Sequence, residues 1–208
     1  MTLASGKDQL ESERLVLRRI ERSDLQFFAG IHADSEVARY IGSGRPRSDQ
    51  ETLLWFQDTL SSYDNPELGQ LAVVRKSDEM LIGRCGLSDF AVESRVADGR
   101  TLPRGWFSRS QVPAGVDVVF EPELGYTFGR QYWGNGYASE AAGRVFDYVI
   151  TSGRKPPIIS VIHVENVRSV RLAQKFGVRH SGRVEMLERP FDRYLWPVEE
   201  NRLKQPTG

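Results

Sequence analysis

A glycine-rich turn is the part of the sequence best suited to chemistry. The segment Gln131–Gly136 (QYWGNG) stands between a short run with strand propensity, Leu124–Phe128, and a segment with helical periodicity. Glycines at the entrance to a helix remove side chains where unpaired N–H groups and the positive end of the helix dipole point outward. Such a turn suits a phosphate or pyrophosphate group. No Gly-Lys-Ser/Thr follows the glycines, which excludes a P-loop.

The elements around this turn follow from periodicity. The segment after the turn is predicted to be a helix, because its apolar residues form one stripe at helical spacing: Ala138, Ala141, Ala142, Val145, Phe146 and Val149. Gly153 is expected to end this helix, and Pro156 prevents its continuation. Before the turn, Val118–Phe120 is interpreted as a separate outer strand piece, interrupted at Pro122.

Upstream, the sequence predicts a strand, two helices and a hairpin. Arg14–Arg18 alternates as a first strand, and a helix follows in which Leu25, Phe28 and Ile31 share a face. Ser48-Asp-Gln-Glu51 is a capping-box pattern that predicts a helix from about Ser48 to Ser62. The last predicted element of this region is a hairpin, whose two strands are Gln70–Arg75 and Leu81–Leu87.

Downstream, the apolar β-branched run Ile158–Val164 predicts a buried strand. Asn166 can cap a helix that ends near Gly177. Val178–Leu187 and Tyr194–Val198 are the expected last strands, joined by a turn near Pro190 and Asp192. The order β-α-α-β-β-insert-β-α-β-α-β-β predicts an α/β (α+β) fold with a mixed sheet and helices on both faces.

Bulk composition narrows the class of protein. The 208 residues suit one domain, and 28 Lys and Arg balance 28 Asp and Glu, so no charge excess indicates nucleic acid. No run is long and apolar enough to predict a membrane span. The single Cys85 excludes an internal disulfide or a cysteine-cluster metal site, and it is expected to be a small core residue. We expect an intracellular, cytoplasmic protein that binds no metal.

The expected organisation is a polar tail at 1–10, a domain at 11–198 and a second polar tail at 199–208. Within the domain, residues 88–116 are irregular, rich in Gly, Pro and Arg, and form an insert. Connections of this length are often functional, so the insert is either a flap over the acceptor or a solvated addition. The sequence leaves both open.

Several motifs together resemble the GNAT acetyltransferases, and within them the branch related to the ribosomal-protein N-terminal acetyltransferases RimJ and RimL. Gln131-x-x-Gly134-x-Gly136 matches the (Gln/Arg)-x-x-Gly-x-(Gly/Ala) signature of the family. The other matching motifs are the strand Arg14–Arg18, Gly125-Tyr126, Tyr132–Ala141, Asn166-Val-Arg-Ser169 and Phe176-Gly177. Val178 departs from the usual aromatic residue. The resemblance covers roughly Glu11 to Val198 without the insert, and implies a GNAT fold of about six to seven strands and about four helices.

The resemblance implies acetyl-CoA as co-substrate and an amine as acceptor. Backbone N–H groups of the turn would hold the pyrophosphate, and the preceding strand would pair with the pantetheine amides. The residues expected to contact acetyl-CoA are Tyr126, Thr127, Phe128, Gln131, Trp133, Gly134, Asn135, Gly136, Tyr137, Ala138, Asn166 and Ser169. A backbone N–H near Phe128 would stabilise the oxyanion, also by resemblance.

Acetyl transfer to an amine needs a base for the amine and an acid for the leaving thiolate. Glu123 and Glu188 are equally ranked candidates for the base, and His163 stands behind them. Each has a structural alternative: a strand-edge ion pair for Glu123, a solvated turn for Glu188 and a sheet histidine for His163. Ser169 is the candidate acid, although a serine in the first turn of a helix also bonds locally.

We therefore predict an acetyl-CoA-dependent N-acetyltransferase that acts on a protein N-terminus or a small amine by direct attack on the thioester. It would bind neither nucleic acid nor membrane and would be a monomer or homodimer. The alternative is a GNAT module that senses acyl-CoA without turnover. The intact turn fits both.

Overall fold

The structure is a computed structural model that describes residues 9–64, 69–96, 99–152 and 157–197. Within these ranges the chain forms nine strands and five α-helices. It divides into two compact units, Met1–Ser88 with Leu124–Tyr148 and Asp89–Glu123 with Val149–Gly208. In the described part of the chain, no helix is long and apolar enough to cross a bilayer.

The first unit is built on an antiparallel meander. The strands are β1 (Gln9–Glu11), β2 (Leu15–Arg19), β3 (Gly69–Arg75) and β4 (Met80–Glu93). Each pairs antiparallel with the next, and Leu17 lies opposite Val73, both fully buried. The predicted hairpin of β3 and β4 is therefore confirmed, and β4 extends six residues further than predicted.

Strand β6 (Val118–Phe128) lies beside β4, and in the first unit the two strands touch closely. The Gly129 N–H donates to the carbonyl of Ile82 at 3.1 Å. A Cβ atom on Gly83 would lie 2.5 Å from the carbonyl oxygen of Thr127 and 2.7 Å from the ring of Phe128. Glycine at position 83 therefore permits this approach of β4 to the strand that precedes the glycine-rich turn.

Three helices of the first unit cover this meander: α1 (Leu25–Ala33), α2 (Ser35–Ala38) and α3 (Asp49–Ser61). The predicted capping box is present, since Ser48 Oγ accepts from the Glu51 N–H and the Glu51 carboxylate accepts from the Ser48 N–H. Phe28 and Phe56 pack with Ile20, Ile31 and Ala72 in one apolar cluster. Cys85 on β4 is fully buried, as predicted.

The second unit contains β5 (Gly105–Trp106), β7 (Ile159–His163), β8 (Arg179–Met186), β9 (Arg189–Leu195) and α5 (Val167–Lys175). Glu123 of β6 pairs with Ile159 of β7 in parallel, whereas β7 with β9 and β8 with β9 are antiparallel. The sheet is therefore mixed, as predicted. The remaining helix, α4 (Tyr137–Thr151), begins in the first unit and ends in the second.

Part of the insert belongs to this packed core. β5 pairs with Ala91 and Val92 at the end of β4, and Phe107 packs against Phe90 and Phe191. The buried carboxylate of Glu93 binds Arg100 at 2.8 Å and Arg104 at 3.0 Å, which holds the pKa of Glu93 down to about 2. The described residues 89–96 and 99–116 of the insert are thus anchored within the second unit, and a role as an acceptor flap stays a prediction.

Three expectations about strands are wrong. Gln9 and Leu10, assigned to a polar tail, belong to β1 because Leu10 is buried opposite Leu17. Pro122 does not interrupt β6, since a proline removes one ladder hydrogen bond but its fixed φ suits an extended strand. The last turn lies at Leu187–Glu188 instead of near Pro190 and Asp192.

The expected C-terminal signals of α4, Gly153 and Pro156, lie outside the described residues, as do residues 1–8 and 198–208 of the two tails. The described part of the chain has more strands than the six to seven expected, which leaves the fold class unchanged.

Candidate functional site

The glycine-rich turn has the backbone that its sequence predicts. Gly134 and Gly136 have φ angles of 79° and 80°, in the left-handed region that side chains rarely adopt. α4 begins directly afterwards at Tyr137, so the unpaired N–H groups of its first turn open beside the glycines. Gly134, Asn135 and Gly136 are all exposed. This is the geometry of an anion site at a helix N-terminus.

Side chains of the turn hold its own backbone. The Trp133 indole Nε1 donates to the carbonyl oxygen of Phe128 at 2.8 Å, which ties the turn to the end of β6. The Asn135 amide Nδ2 donates to the carbonyls of Tyr132 at 3.2 Å and Trp133 at 3.1 Å. Trp133 and Asn135 therefore shape the turn through these bonds, while Gln131 is exposed at its start.

Two arginines that sequence reasoning did not assign lie against the turn. Arg14 Nη1 donates to the Asn135 carbonyl at 3.1 Å, and its guanidinium carbon lies 4.8 Å from the centre of the Tyr137 ring. The guanidinium of Arg75 lies 5.4 Å from the centre of the Tyr132 ring and 5.9 Å from that of Tyr137. Arg14 lies between β1 and β2 and Arg75 ends β3, both distant in sequence from the turn, so no local pattern could have identified them. Each guanidinium is already paired with a carboxylate, Arg14 with Glu140 and Arg75 with Asp78, so the arginines offer phosphates N–H donors and no net positive charge.

Glu140 in the first turn of α4 fixes one of these arginines. Its carboxylate accepts from Ser12 Oγ, from the Arg14 backbone N–H and from Arg14 Nε, each at 2.7 Å. Burial alone would raise the pKa of Glu140, but these bonds outweigh burial and the pKa is lowered. The ionised carboxylate thereby positions Arg14 at the turn.

The end of strand β6, which precedes the turn, is largely buried but contains polar groups. Thr127 and Phe128 are buried, whereas Tyr126 is half-buried with its ring 6.4 Å from that of Phe128. The hydroxyl of Thr127 is buried and has no hydrogen-bond partner among the described residues. A buried hydroxyl without a partner among the described residues suits a ligand with amide groups, so the end of this strand stays a candidate binding surface for such a ligand.

The remaining predicted site residues lie in the second unit. Asn166 caps α5, because its Oδ1 accepts from the Ser169 N–H at 3.2 Å. The predicted helix cap is confirmed. Asn166 and Ser169 directly follow β7, since the Asn166 N–H donates to the carbonyl of His163 at 2.8 Å.

His163 has the surroundings of a structural sheet histidine. It is buried at the end of β7 with its ring 5.1 Å from that of Phe191, and its Nδ1 accepts from the Glu165 N–H at 3.2 Å. Burial, aided by the charge of Arg189, lowers the pKa of His163 against the opposing effect of Glu165. A neutral imidazole that already accepts a backbone bond is poorly placed to take a proton.

The two candidate bases, Glu123 and Glu188, differ in their exposure to solvent. Glu123 is 6% exposed on β6, beside Ile159 at the start of β7. Glu188 is exposed in the two-residue turn between β8 and β9, near the far end of β7, where the Val164 N–H donates to the carbonyl of Pro190. The two ends of β7 are roughly 13 Å apart at the rise of an extended strand. One reacting amine therefore cannot contact groups at both ends directly.

A family model for the GNAT acetyltransferase domain matches residues 14–179. The chain belongs to this family, whose members are enzymes that transfer the acetyl group of acetyl-CoA. Among its curated relatives, the uncharacterized protein YkkB of Bacillus subtilis (strain 168) is 27% identical over 192 residues, which cover 91% of this chain and 96% of YkkB. The uncharacterized N-acetyltransferase YoaA of the same organism is 25% identical, with 83% of this chain and 84% of YoaA covered.

Solved structures share the fold. A ribosomal L7/L12 α-N-protein acetyltransferase, RimL, in complex with coenzyme A, superposes with a TM-score of 0.67 over 93% of this chain and 99% of its own, at 11% identity. The resemblance to the RimL branch is thus confirmed at the level of fold. The described residues contain no group of three or more His, Cys, Asp or Glu that could hold a metal ion.

Proposed function

We propose that the protein is an N-acetyltransferase that moves the acetyl group of acetyl-CoA to a primary amine by direct attack on the thioester. The observation that carries this proposal is the combination of the left-handed glycines, Gly134 and Gly136, with Arg14 and Arg75 at the start of α4. Together they provide backbone N–H donors and two guanidinium groups for the two phosphates.

In this proposal the acetyl-CoA site is formed by the turn and the strand before it. Gln131, Gly134, Gly136 and Ala138 supply backbone N–H groups to the pyrophosphate, while Trp133 and Asn135 keep the turn in shape. Thr127, with Tyr126 and Phe128, lines the pantetheine arm. Its hydroxyl, which has no hydrogen-bond partner among the described residues, gains a bond there. Tyr137 lies against the two arginines. Asn166 and Ser169, at the start of α5 in the second unit, are assigned to acetyl-CoA by the family resemblance alone.

The proposed acetyl transfer requires only a few groups of the protein. Acetyl-CoA supplies an activated thioester. The amine nitrogen forms a bond to the carbonyl carbon, the carbon–sulfur bond breaks, and a proton passes from the amine to the chain's base. A backbone N–H near Phe128 stabilises the oxyanion. Ser169 donates a proton to the leaving thiolate and regains one from water, to which the base releases the proton that it took from the amine.

We favour Glu123 over Glu188 as the base. A buried carboxylate is more easily tuned toward neutral pKa values than an exposed one, and it can act on the amine through a water molecule. Glu188 occupies an exposed turn, which fits a solvated residue.

The test is a thiol-release assay with acetyl-CoA and a panel of primary amines. We expect Glu123→Gln to lower kcat roughly 100-fold or more, which is typical for loss of a general base, and Glu188→Gln to leave kcat within a few-fold. If Glu188→Gln alone abolished turnover, the assignment of the base would be reversed. If acetyl-CoA bound but no amine in the panel released thiol, an acyl-CoA sensor would replace the enzyme.

Ser169 is tested in the same assay. Ser169→Ala should lower kcat about 10-fold while the affinity for acetyl-CoA stays unchanged, because a general acid acts only on the leaving group. The matched control is Ser139→Ala, a serine in the first turn of α4. Equal turnover of wild type and Ser169→Ala would remove Ser169 from the mechanism.

A further inference from the structure

Two arginines flank the same tryptophan ring in the first unit, away from the glycine-rich turn. The guanidinium carbon of Arg47, in the loop before α3, lies 5.7 Å from the centre of the Trp55 ring. That of Arg84, on β4, lies 5.2 Å from the same centre. Trp55 belongs to α3, so three elements bring these side chains together. We call Arg47, Trp55 and Arg84 the arginine clamp.

A buried histidine, His32, lies beside the arginine clamp. His32 on α1 packs edge-to-face on Trp55 with ring centres 4.5 Å apart, and its Nδ1 lies 3.4 Å from Thr52 Oγ1. Burial and, to a smaller extent, the charges of Arg47 and Arg84 lower the pKa of His32 to about 2. The ring is therefore neutral at physiological pH, and the clamp contains two permanent cations beside a neutral imidazole.

Arg47 carries a charge that the described residues leave poorly balanced. Burial lowers its pKa, and the opposing carboxylate is Glu51, which is already bound to Arg45 at 2.5 Å and to the Ser48 N–H at 2.8 Å. Arg47 Nη1 is buried and has no hydrogen-bond partner among the described residues. A desolvated guanidinium is costly unless it is paired, so this group is arranged for an anion that the described residues do not provide.

The clamp lies one strand away from the proposed thioester site. Arg84 directly follows Gly83, which touches Thr127 and Phe128 of β6. Neighbouring strands are about 4.8 Å apart, so a small molecule can span from β6 to the side chain of Arg84. The amide Oε1 of Gln70 accepts from Arg84 Nη1 at 2.6 Å and holds that guanidinium in place.

We propose that the arginine clamp binds a carboxylate of the acetyl acceptor, so that the acceptor is an amine that also carries a carboxylate. This inference rests on the proposed N-acetyltransferase function and assigns its acceptor class. The guanidinium groups match the planar carboxylate, and Trp55 keeps water from the pair. The carboxylate belongs either to a small amino acid or to an acidic residue of a peptide, and the experiment separates these sources.

The first arm compares matched small amines in the thiol-release assay. Glycine, β-alanine and 4-aminobutyrate are each paired with their carboxamides. For at least one spacing we expect kcat/KM to be roughly 10- to 100-fold higher for the carboxylate, which is the worth of a charge-assisted bond. The second arm uses Ala-Asp-Ala-Ala and Ala-Asn-Ala-Ala with amidated C-termini. A preference confined to the Asp peptide identifies a peptide acceptor.

Variants assign the preference to the clamp. Arg47→Gln and Arg84→Gln should each reduce the carboxylate preference toward unity while the affinity for acetyl-CoA stays unchanged. Arg45→Gln, an exposed arginine in the same loop, is the control and should retain the preference. If a Gln variant fails to fold, the Lys variant keeps the charge but loses the planar fork and should show an intermediate preference.

A third arm is independent of turnover. The N-acetylated derivative of the favoured acid, or of each acid and the Asp peptide if no amine reacts, is titrated against the CoA-bound protein by calorimetry. Binding that weakens at least tenfold in Arg47→Gln supports the clamp even if no amine is acetylated, in which case only the proposed function fails. Equal rates for acids and amides with acetyl transfer intact, or equal binding to wild type and Arg47→Gln, would overturn the inference and leave the arginines as packing partners of Trp55.

Discussion

Two tight turns of the molecule both need residues with positive φ angles, but they use different residue types. Gly134 and Gly136 in the first unit have φ angles of 79° and 80°, and Leu187 and Glu188 in the second unit have φ angles of 49° and 60°. The first turn uses glycine, for which this conformation costs little. The second places two side chains in the left-handed region, at a cost of order 1 kcal/mol or more each.

The difference shows which kind of turn can be predicted from a sequence. The glycine turn is dictated locally, so residue type and spacing indicate both its position and its use. The late turn is dictated by pairing, because Val184 lies opposite Phe191 in the core and Arg183 binds Asp192 across the strands at 2.7 Å. Asp192 and Pro190 have turn character, but the register places them inside β9.

The largest expected effect comes from adding a side chain to the first turn. Acetyl-CoA at saturation should raise the Tm by roughly 5 to 10 °C, and Gly134→Glu should abolish this shift, because it sets a carboxylate against the pyrophosphate. Gly115→Glu is the matched control, since Gly115 has a φ of 80°, is exposed and has open space at its Cβ position. Both variants carry the same backbone strain, and only Gly134→Glu should lose the shift. A full shift in Gly134→Glu would refute the assignment of the site.

A smaller effect, of opposite sign, is expected at the second turn. Replacing Leu187–Glu188 by Asn-Gly supplies the residues that a two-residue hairpin turn with positive φ prefers, and should stabilise the protein by about 1 to 2 kcal/mol. Thermal unfolding measures this gain. A loss of Tm would show that Leu187 makes contacts that outweigh the backbone strain.

A substitution at Glu188 distinguishes the effect of backbone strain from a role in catalysis. Glu188→Gly removes the carboxylate and relieves the backbone, so stability should rise while kcat stays within a few-fold. A rise in Tm together with a collapse of kcat would indicate that the strain at Glu188 serves catalysis, and the two turns would then both be functional.

The smallest effect concerns the ion pair beside the first turn. The pKa of Glu140 is lowered, so its contribution to stability is complete above the ordinary carboxylate pKa and is lost as the pH falls through the lowered value. Glu140→Gln should therefore lower the Tm at pH 7 and have less effect near pH 3. A Tm difference independent of pH would mean that packing, and not charge, makes the bond to Arg14 important.

Much of the fold could be predicted because its signals are local. The capping box at Ser48 and Glu51, the cap at Asn166 and the apolar strand before His163 were all found by residue type and spacing. The glycine turn was found in the same way. Family motifs then supplied the order of the elements.

What sequence reasoning missed depends on contacts between distant segments. Arg14 and Arg75 reach the turn from segments distant in sequence. Arg47 and Arg84 come together because both lie against Trp55 of α3. Strand β1 forms because Leu10 finds a buried place opposite Leu17. None of these pairings has a signature in the linear spacing of residues.

The burial of Cys85 has a practical consequence for every assay above. It is the chain's single cysteine and is fully buried in β4, so the folded enzyme presents no accessible protein thiol to a disulfide reagent. Released coenzyme A is then the one thiol that such a reagent detects during turnover. In denaturant the same reagent will react once per chain, at a rate set by the opening of the core strand. A single colorimetric reagent thus reads both the reaction and the unfolding of this protein.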